Sequence, residues 1–108
     1  MANAYKVLGQ VAPSATTATT LYTAPASTSA VCSTLSVCNR GVATTFRVAV
    51  RPAGAALANQ HYVVYDAPLG ANDTVFLTLG ISLATTDVVT VYAATADTSF
   101  NLYGSEIT

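Results

Sequence analysis

Thr74-Val75-Phe76-Leu77-Thr78-Leu79-Gly80-Ile81-Ser82-Leu83 decides the fold class. Val75, Leu77, Leu79, Ile81 and Leu83 alternate with Thr74, Phe76, Thr78, Gly80 and Ser82, the period of two that puts one set on each face of a strand. An amphipathic helix needs apolar residues three and four apart, and no window of the chain sustains that spacing. The segment reads as one long strand, or as a strand bent at Gly80.

The same alternation recurs on both sides. Thr44 to Pro52 sets Phe46, Val48 and Val50 against Thr45, Arg47, Ala49 and Arg51. Ala30 to Asn39 sets Val31, Leu35 and Val37 against Cys32, Thr34, Ser36 and Cys38. Both of those sets are small enough to be buried, which suits a central strand. Tyr5 to Gln10, Thr19 to Thr23, His61 to Tyr65, Val88 to Ala93 and Ser99 to Tyr103 are shorter candidates. Turn residues separate them: Ala12-Pro13-Ser14, Ala24-Pro25, Asn39-Arg40-Gly41, Gly70-Ala71-Asn72-Asp73 and Thr85-Thr86-Asp87. Eight short strands at this spacing predict an all-β antiparallel sandwich, jelly-roll or immunoglobulin-like, in a single domain over 1–108. Pro52 to Gln60 is the longest stretch outside a strand, and it either forms a helical turn or crosses between sheets.

Composition narrows the function. Of 108 residues only 8% are charged, the formal net charge is −1, and Ala and Thr supply about a third of the chain. Globular domains average about 25% charged residues, so the surface here has to be covered by neutral side chains, and Thr on an outward strand face does this well. Four cations, Lys6, Arg40, Arg47 and Arg51, make no basic patch with interleaved aromatics, which argues against nucleic-acid partners. No apolar run approaches the length of a membrane-spanning helix. Met1-Ala2-Asn3-Ala4 lacks both the charged start and the apolar stretch of a secretory signal, so neither a membrane nor general secretion is expected. Cys32 and Cys38, on one face of one strand and roughly 20 Å apart, are expected to be two reduced thiols packed as small apolar groups, consistent with synthesis in a cytosol.

The inventory for catalysis is thin. His61 is the one histidine. A set of a serine, His61 and Asp66 lacks any nucleophile-elbow pattern, so ordinary hydrogen bonding at a strand start is the better reading. One histidine and two separated cysteines do not make a zinc set. Asp66 with Asn72-Asp73, or Asp87 with Asp97, could line a cation loop, yet aspartates before strands more commonly close turns with their own backbone. The glycines are scattered singly, with no phosphate loop, so neither a cofactor nor an enzymatic role is expected. Arg47 and Arg51 share a strand face about 13 Å apart, either as solvated side chains or as directional contacts to a partner's carboxylates. Tyr5, Tyr62, Tyr65 and Tyr103 suit a contact surface because each pairs apolar area with a polar tip.

Ala4-Tyr5-Lys6-Val7-Leu8-Gly9-Gln10, the run Thr16 to Pro25, Leu35-Ser36-Val37-Cys38-Asn39-Arg40, Phe46 to Gly54 and Phe100-Asn101-Leu102-Tyr103-Gly104-Ser105-Glu106 together resemble small virion structural proteins of tailed bacteriophages, cyanophages included. The resemblance spans nearly the whole chain. It implies a β-sandwich present in many copies on the particle: a head-decorating (cement) protein, or a neck, tail or baseplate component, made in the host cytoplasm and resident in the virion. The implied partners are further copies of the chain, a trimer as first expectation, and other virion proteins such as the major capsid protein. Arg47, Arg51, Tyr5 and Tyr103 are the candidate assembly contacts. A surface this neutral predicts association that depends weakly on salt. The competing reading is a module that binds a carbohydrate or host receptor, with His61, Tyr62, Tyr65 and Asp66 as contacts; the absence of Trp counts against it.

Overall fold

The computed structural model describes residues 2–108. Met1, at the head of the segment read for a secretory signal, lies outside them. Eight strands run β1 Asn3–Val11, β2 Thr19–Thr23, β3 Ser29–Asn39, β4 Thr44–Arg51, β5 Tyr62–Leu69, β6 Thr74–Leu83, β7 Val88–Ala93 and β8 Thr98–Ile107. They form two four-stranded antiparallel sheets, ordered β1-β8-β3-β6 and β2-β7-β4-β5. The pairings β1 with β8, β2 with β7, β3 with β6 and β4 with β5 are those of one long hairpin folded at β4–β5. Rolling that hairpin brings β8 beside β3 and β7 beside β4. This order is a jelly roll and resolves the two sandwich topologies that periodicity leaves open.

The rolled sheets enclose one core. Leu35, Val37, Phe100 and Leu102 face Phe46, Val48, Val89 and Val91, and none of the eight is more than 2% exposed. Phe46 and Phe100 meet edge to face across the sandwich, ring centres 6.2 Å apart. Burying each such side chain contributes about 1.5–3 kcal/mol, which makes this layer the main source of stability. At one end buried Asn39 ties two loops together: its amide donates to the carbonyls of Val42 and Gly70, at 2.7 and 2.9 Å, and its oxygen accepts from the Gly41 amide.

Thr74 to Leu83 behaves as the alternation predicts, with Val75, Leu77, Leu79, Ile81 and Leu83 inward and the other five residues exposed. Gly80 adopts φ 63° at a register shift against β3, the bend expected there. Ala30 to Asn39 is a central strand, but its faces are not the ones the alternation suggests. Ser33 is an extra residue against β8, whereas against β6 the extra residue lies on β6, where Leu79 and Gly80 oppose Ser33 alone. A bulge of this kind reverses the side-chain parity beyond it. Ala30 and Cys32 therefore point into the core before the bulge, Leu35, Val37 and Asn39 after it, and Val31 is left outside. Cys32 is fully buried while Cys38 is half-buried on the opposite face, so the two free thiols do not share a face as the unbroken period implies.

Pro52–Gly54 and Asn59–His61 are single 3₁₀ turns, and the segment joins β4 to β5 within one sheet. It does not cross between sheets. Three strands outrun their sequence boundaries. β5 continues past Tyr65 through Asp66, a bulge residue at φ 50°, and Pro68 is accommodated because β5 is an edge strand. β1 and β8 extend to Asn3 and Ile107, where they pair with each other.

Candidate functional site

The groups considered for catalysis are each occupied separately. His61 is buried, and its Nδ1 accepts the Ala58 amide at 3.0 Å. Asp66 accepts from Arg47. Asp73 accepts the Thr74 amide at 2.8 Å, and Asp87 bridges the amides of Ala53 and Ala84 at 2.8 and 2.9 Å. These two aspartates make the backbone turn contacts expected of them. Among the described residues no three of His, Cys, Asp and Glu gather at metal-binding distance.

The outer face of β2-β7-β4-β5 carries an arginine held on three sides. Arg47 donates from Nε to Asp66 Oδ1 at 2.6 Å and from an Nη to Oδ2 at 3.3 Å. Its guanidinium lies 4.3 Å from the ring centres of both Tyr65 and Tyr92. The planar cation thus stacks between two rings while its edge pairs with a carboxylate, a combination lysine cannot make. The Asp66 bond is the main reason its pKa rises further above the ordinary arginine value. The bulge at Tyr65 and Asp66 is what sets both side chains toward β4. Tyr62 stands edge-on to Tyr65 with ring centres 4.9 Å apart, and with Asn59 the two line a shallow hollow. Arg51, on the same face, donates to Thr90 Oγ1 and to the carbonyls of Gly54 and Ala55, fastening the turn after β4. The two arginines therefore each bond within the chain, to separate partners.

Tyr5 and Tyr103 lie on the outer face of the other sheet. Val7 opposes Tyr103, while Tyr5 and Val31 both oppose Ser105, so these side chains form one patch with Ser33 at its margin. Tyr5 is 83% exposed and Phe76, further along on β6, 70%. The strand positions facing outward on β1-β8-β3-β6 are Ser, Thr, Asn, Gln, Tyr, Val, Phe, Cys, Ile and Gly; among the described residues none carries a charge. Arg40 reaches over from the loop after β3, donating to Ser99 at 3.1 Å, and Lys6 stands at the β1 margin of the patch.

Of the charges of this region, Glu106 is turned under the sheet, while Lys6, half exposed, borders the patch and pairs with Glu106. Glu106 accepts from Tyr22 of the opposite sheet at 2.6 Å and lies 2.6 Å from Lys6 Nζ. Lys6 first, and Tyr22 second, hold the Glu106 carboxyl below the ordinary glutamate value. Burial and Glu106 push the Tyr22 hydroxyl well above the usual tyrosine value. The Tyr22–Glu106–Lys6 bridge and the stacking of Tyr92 on Arg47 are absent from the sequence reading, because both depend on strand order. Phe76 is different: its place on the outward face is visible in the alternation of β6, and an exposed phenylalanine there is itself a sign of a contact surface.

No protein-family model, curated protein or solved structure matches the chain.

Proposed function

We infer that the chain is a structural protein of a tailed-phage virion, a capsid-decorating (cement) protein that assembles as a symmetric homo-oligomer against the major capsid protein. The observation that carries this reading is the uncharged outer face of β1-β8-β3-β6, with Tyr5, Val7, Val31 and Phe76 exposed on it. Such a face costs little to dehydrate, meets a copy of itself without like-charge repulsion, and offers hydroxyls and amides that both donate and accept. Jelly rolls serve as shell proteins and also as lectins, so the fold is compatible with the role without selecting it. Mass spectrometry of density-purified particles tests the reading. The chain is expected in many copies per particle, and its absence refutes a virion role. Labelling on the head, not on the neck, tail or baseplate, is expected from particles imaged with a tagged chain.

The hollow at Asn59, Tyr62 and Tyr65 favours a second reading, a module that holds a saccharide or host receptor against a tyrosine face. Asp66 is engaged by Arg47, which leaves few polar groups to orient a sugar. A glycan array at millimolar ligand that records no binding removes this reading.

A further inference from the structure

The sandwich has four edge strands, β1, β6, β2 and β5, and each carries at least one register shift. β6 is bent at Gly80, which sits at a register shift. β5 has two register shifts, a left-handed Asp66 and Pro68, which lacks an amide hydrogen. β2 is five residues long and shifts register between Thr20 and Tyr22. Bulges, prolines and short length are the devices by which sheet edges are kept from pairing with other chains. β1 shifts register only after Val7; from Asn3 to Val7 its register against β8 is unbroken, it holds no proline, and all five residues are exposed.

The direction of the free groups follows from the ladder. Ala2 and Thr108 exchange both backbone hydrogen bonds, each 3.0 Å. Bonded and non-bonded pairs alternate along an antiparallel pair, so Ala4 with Glu106 and Lys6 with Gly104 are bonded. The amides and carbonyls of Asn3, Tyr5 and Val7 then point away from the sheet into solvent.

We propose that this edge of β1 pairs with the same edge of a second copy, antiparallel about a two-fold axis at Tyr5, joining two β1-β8-β3-β6 sheets into one continuous sheet. The inference deepens the assembly role proposed above and rests on it for taking a copy of this chain as partner. Centred on Tyr5, the pairing sets Tyr5 against Tyr5 and Asn3 against Val7, and each pair closes two backbone bonds. Lys6 falls opposite Ala4, and its ammonium is already neutralised by Glu106, so no unpaired charge meets its like. Three further arguments select the second copy over a strand from another protein. The register is self-complementary in both backbone and side chains. The uncharged outer face continues across the junction. β2 and β5 are broken by register shifts and Pro68, and the unbroken Thr74–Thr78 run of β6 would meet β1 only head to tail, which builds a ring or filament where the self-pairing of β1 closes in a dimer. A three-fold ring would join β1 to a different surface, and for this contact the two-fold replaces the trimer expected from the sequence.

The test combines molar mass by light scattering, from micromolar to millimolar chain, with backbone amide exchange at both ends of that range. Expected are a mass that doubles with concentration and amides of Asn3, Tyr5 and Val7 that exchange at least about tenfold more slowly in the dimer. Those of Ala4 and Lys6 are expected to be slow throughout. Tyr5→Pro removes an outward amide without touching a β1–β8 bond, and Tyr5→Lys sets two ammonium groups at the axis. Both are expected to give monomers with the unfolding midpoint of the dilute, monomeric wild type, and salt is expected to restore pairing for Tyr5→Lys alone. A monomer at millimolar concentration, a dimer whose Tyr5 amide still exchanges fast, a ring of odd order, or a dimer that survives both substitutions each overturns the proposal. A monomeric chain that is nevertheless found in purified particles overturns the edge pairing alone. A paired chain absent from particles overturns the virion role alone.

Discussion

Gly104 is a position where one added methyl group cannot be accommodated without moving backbone. It lies in β8, between β1 and β3, opposite Lys6 on one side and Cys32 on the other, beside the Ser33 bulge. A Cβ there would lie 2.0 Å from the Val31 carbonyl oxygen, 3.0 Å from the Val31 carbonyl carbon and 3.1 Å from the Cys32 Cα. Carbon and oxygen approach no closer than about 3.3 Å in weak strand-to-strand contacts, so Gly104→Ala requires a displacement of about 1.3 Å. All three atoms are backbone of a strand that is itself paired on both sides. Overpacking costs about 1–3 kcal/mol, and the movement breaks one ladder bond worth about 1 kcal/mol, so about 3 kcal/mol is expected. For a domain of this size that lowers the melting temperature by about 12 °C. Gly80→Ala is the control: nothing lies within 4 Å of a Cβ there, and the change costs only the strain of φ 63°, about 1 kcal/mol. Urea titrations of the two variants and the wild type, fitted with a common slope, give the values. A Gly104→Ala cost below that of Gly80→Ala refutes the close approach of β8 to β3.

Phe100→Ala empties a fully buried site and removes the edge-to-face contact with Phe46, and denaturant unfolding should register a loss of about 3–5 kcal/mol. Glu106 has a lower carboxyl pKa folded than its ordinary value of 4.5, so the unfolded chain binds its proton first as pH falls. The stability it contributes is therefore complete above that ordinary value and disappears as pH drops through the folded one. Unfolding of Glu106→Gln followed from pH 7 to pH 2 should lose this part of the acid dependence, and an unchanged pH profile contradicts the bridge. Burial pushes the Cys32 thiol up to about 11, whereas Cys38 is half-buried on the other face. An aromatic disulfide reagent at pH 8 should therefore label Cys38 in the native protein and Cys32 only on unfolding; equal rates contradict the Ser33 bulge.

Periodicity alone reveals the strand content, the inward faces of β4 and β6, and the turns at Gly70–Asp73 and Ala84–Asp87, because each depends on residues within a few positions of one another. It fails where the backbone departs from period two. Ser33 has no feature that distinguishes a bulge residue from an ordinary outward serine, yet it reverses the parity of β3, moves Val31 to the surface and separates the cysteine faces. Asp66 misleads in the same way: it resembles a turn residue after Tyr65, while in the sheet it bends β5 and binds Arg47. Contacts between distant strands, Tyr22 with Glu106 and Arg47 with Tyr92, require the order of the roll, which no local pattern encodes.

The scarcity of charge takes on meaning once the partners are known. Lys6 is paired with Glu106, Arg47 with Asp66, Arg51 holds the turn after β4, Arg40 crosses to Ser99, and Asp73 and Asp87 close turns. Each of these charges has a task within its own subunit, and what remains facing outward on β1-β8-β3-β6 is hydroxyl, amide and apolar surface. Surface ion pairs contribute little and weaken with salt, whereas backbone bonds and apolar contacts do not depend on screening. The assembly role proposed above draws on this division: with the charges engaged inside the chain, contacts made through neutral strands are expected to persist as ionic strength changes.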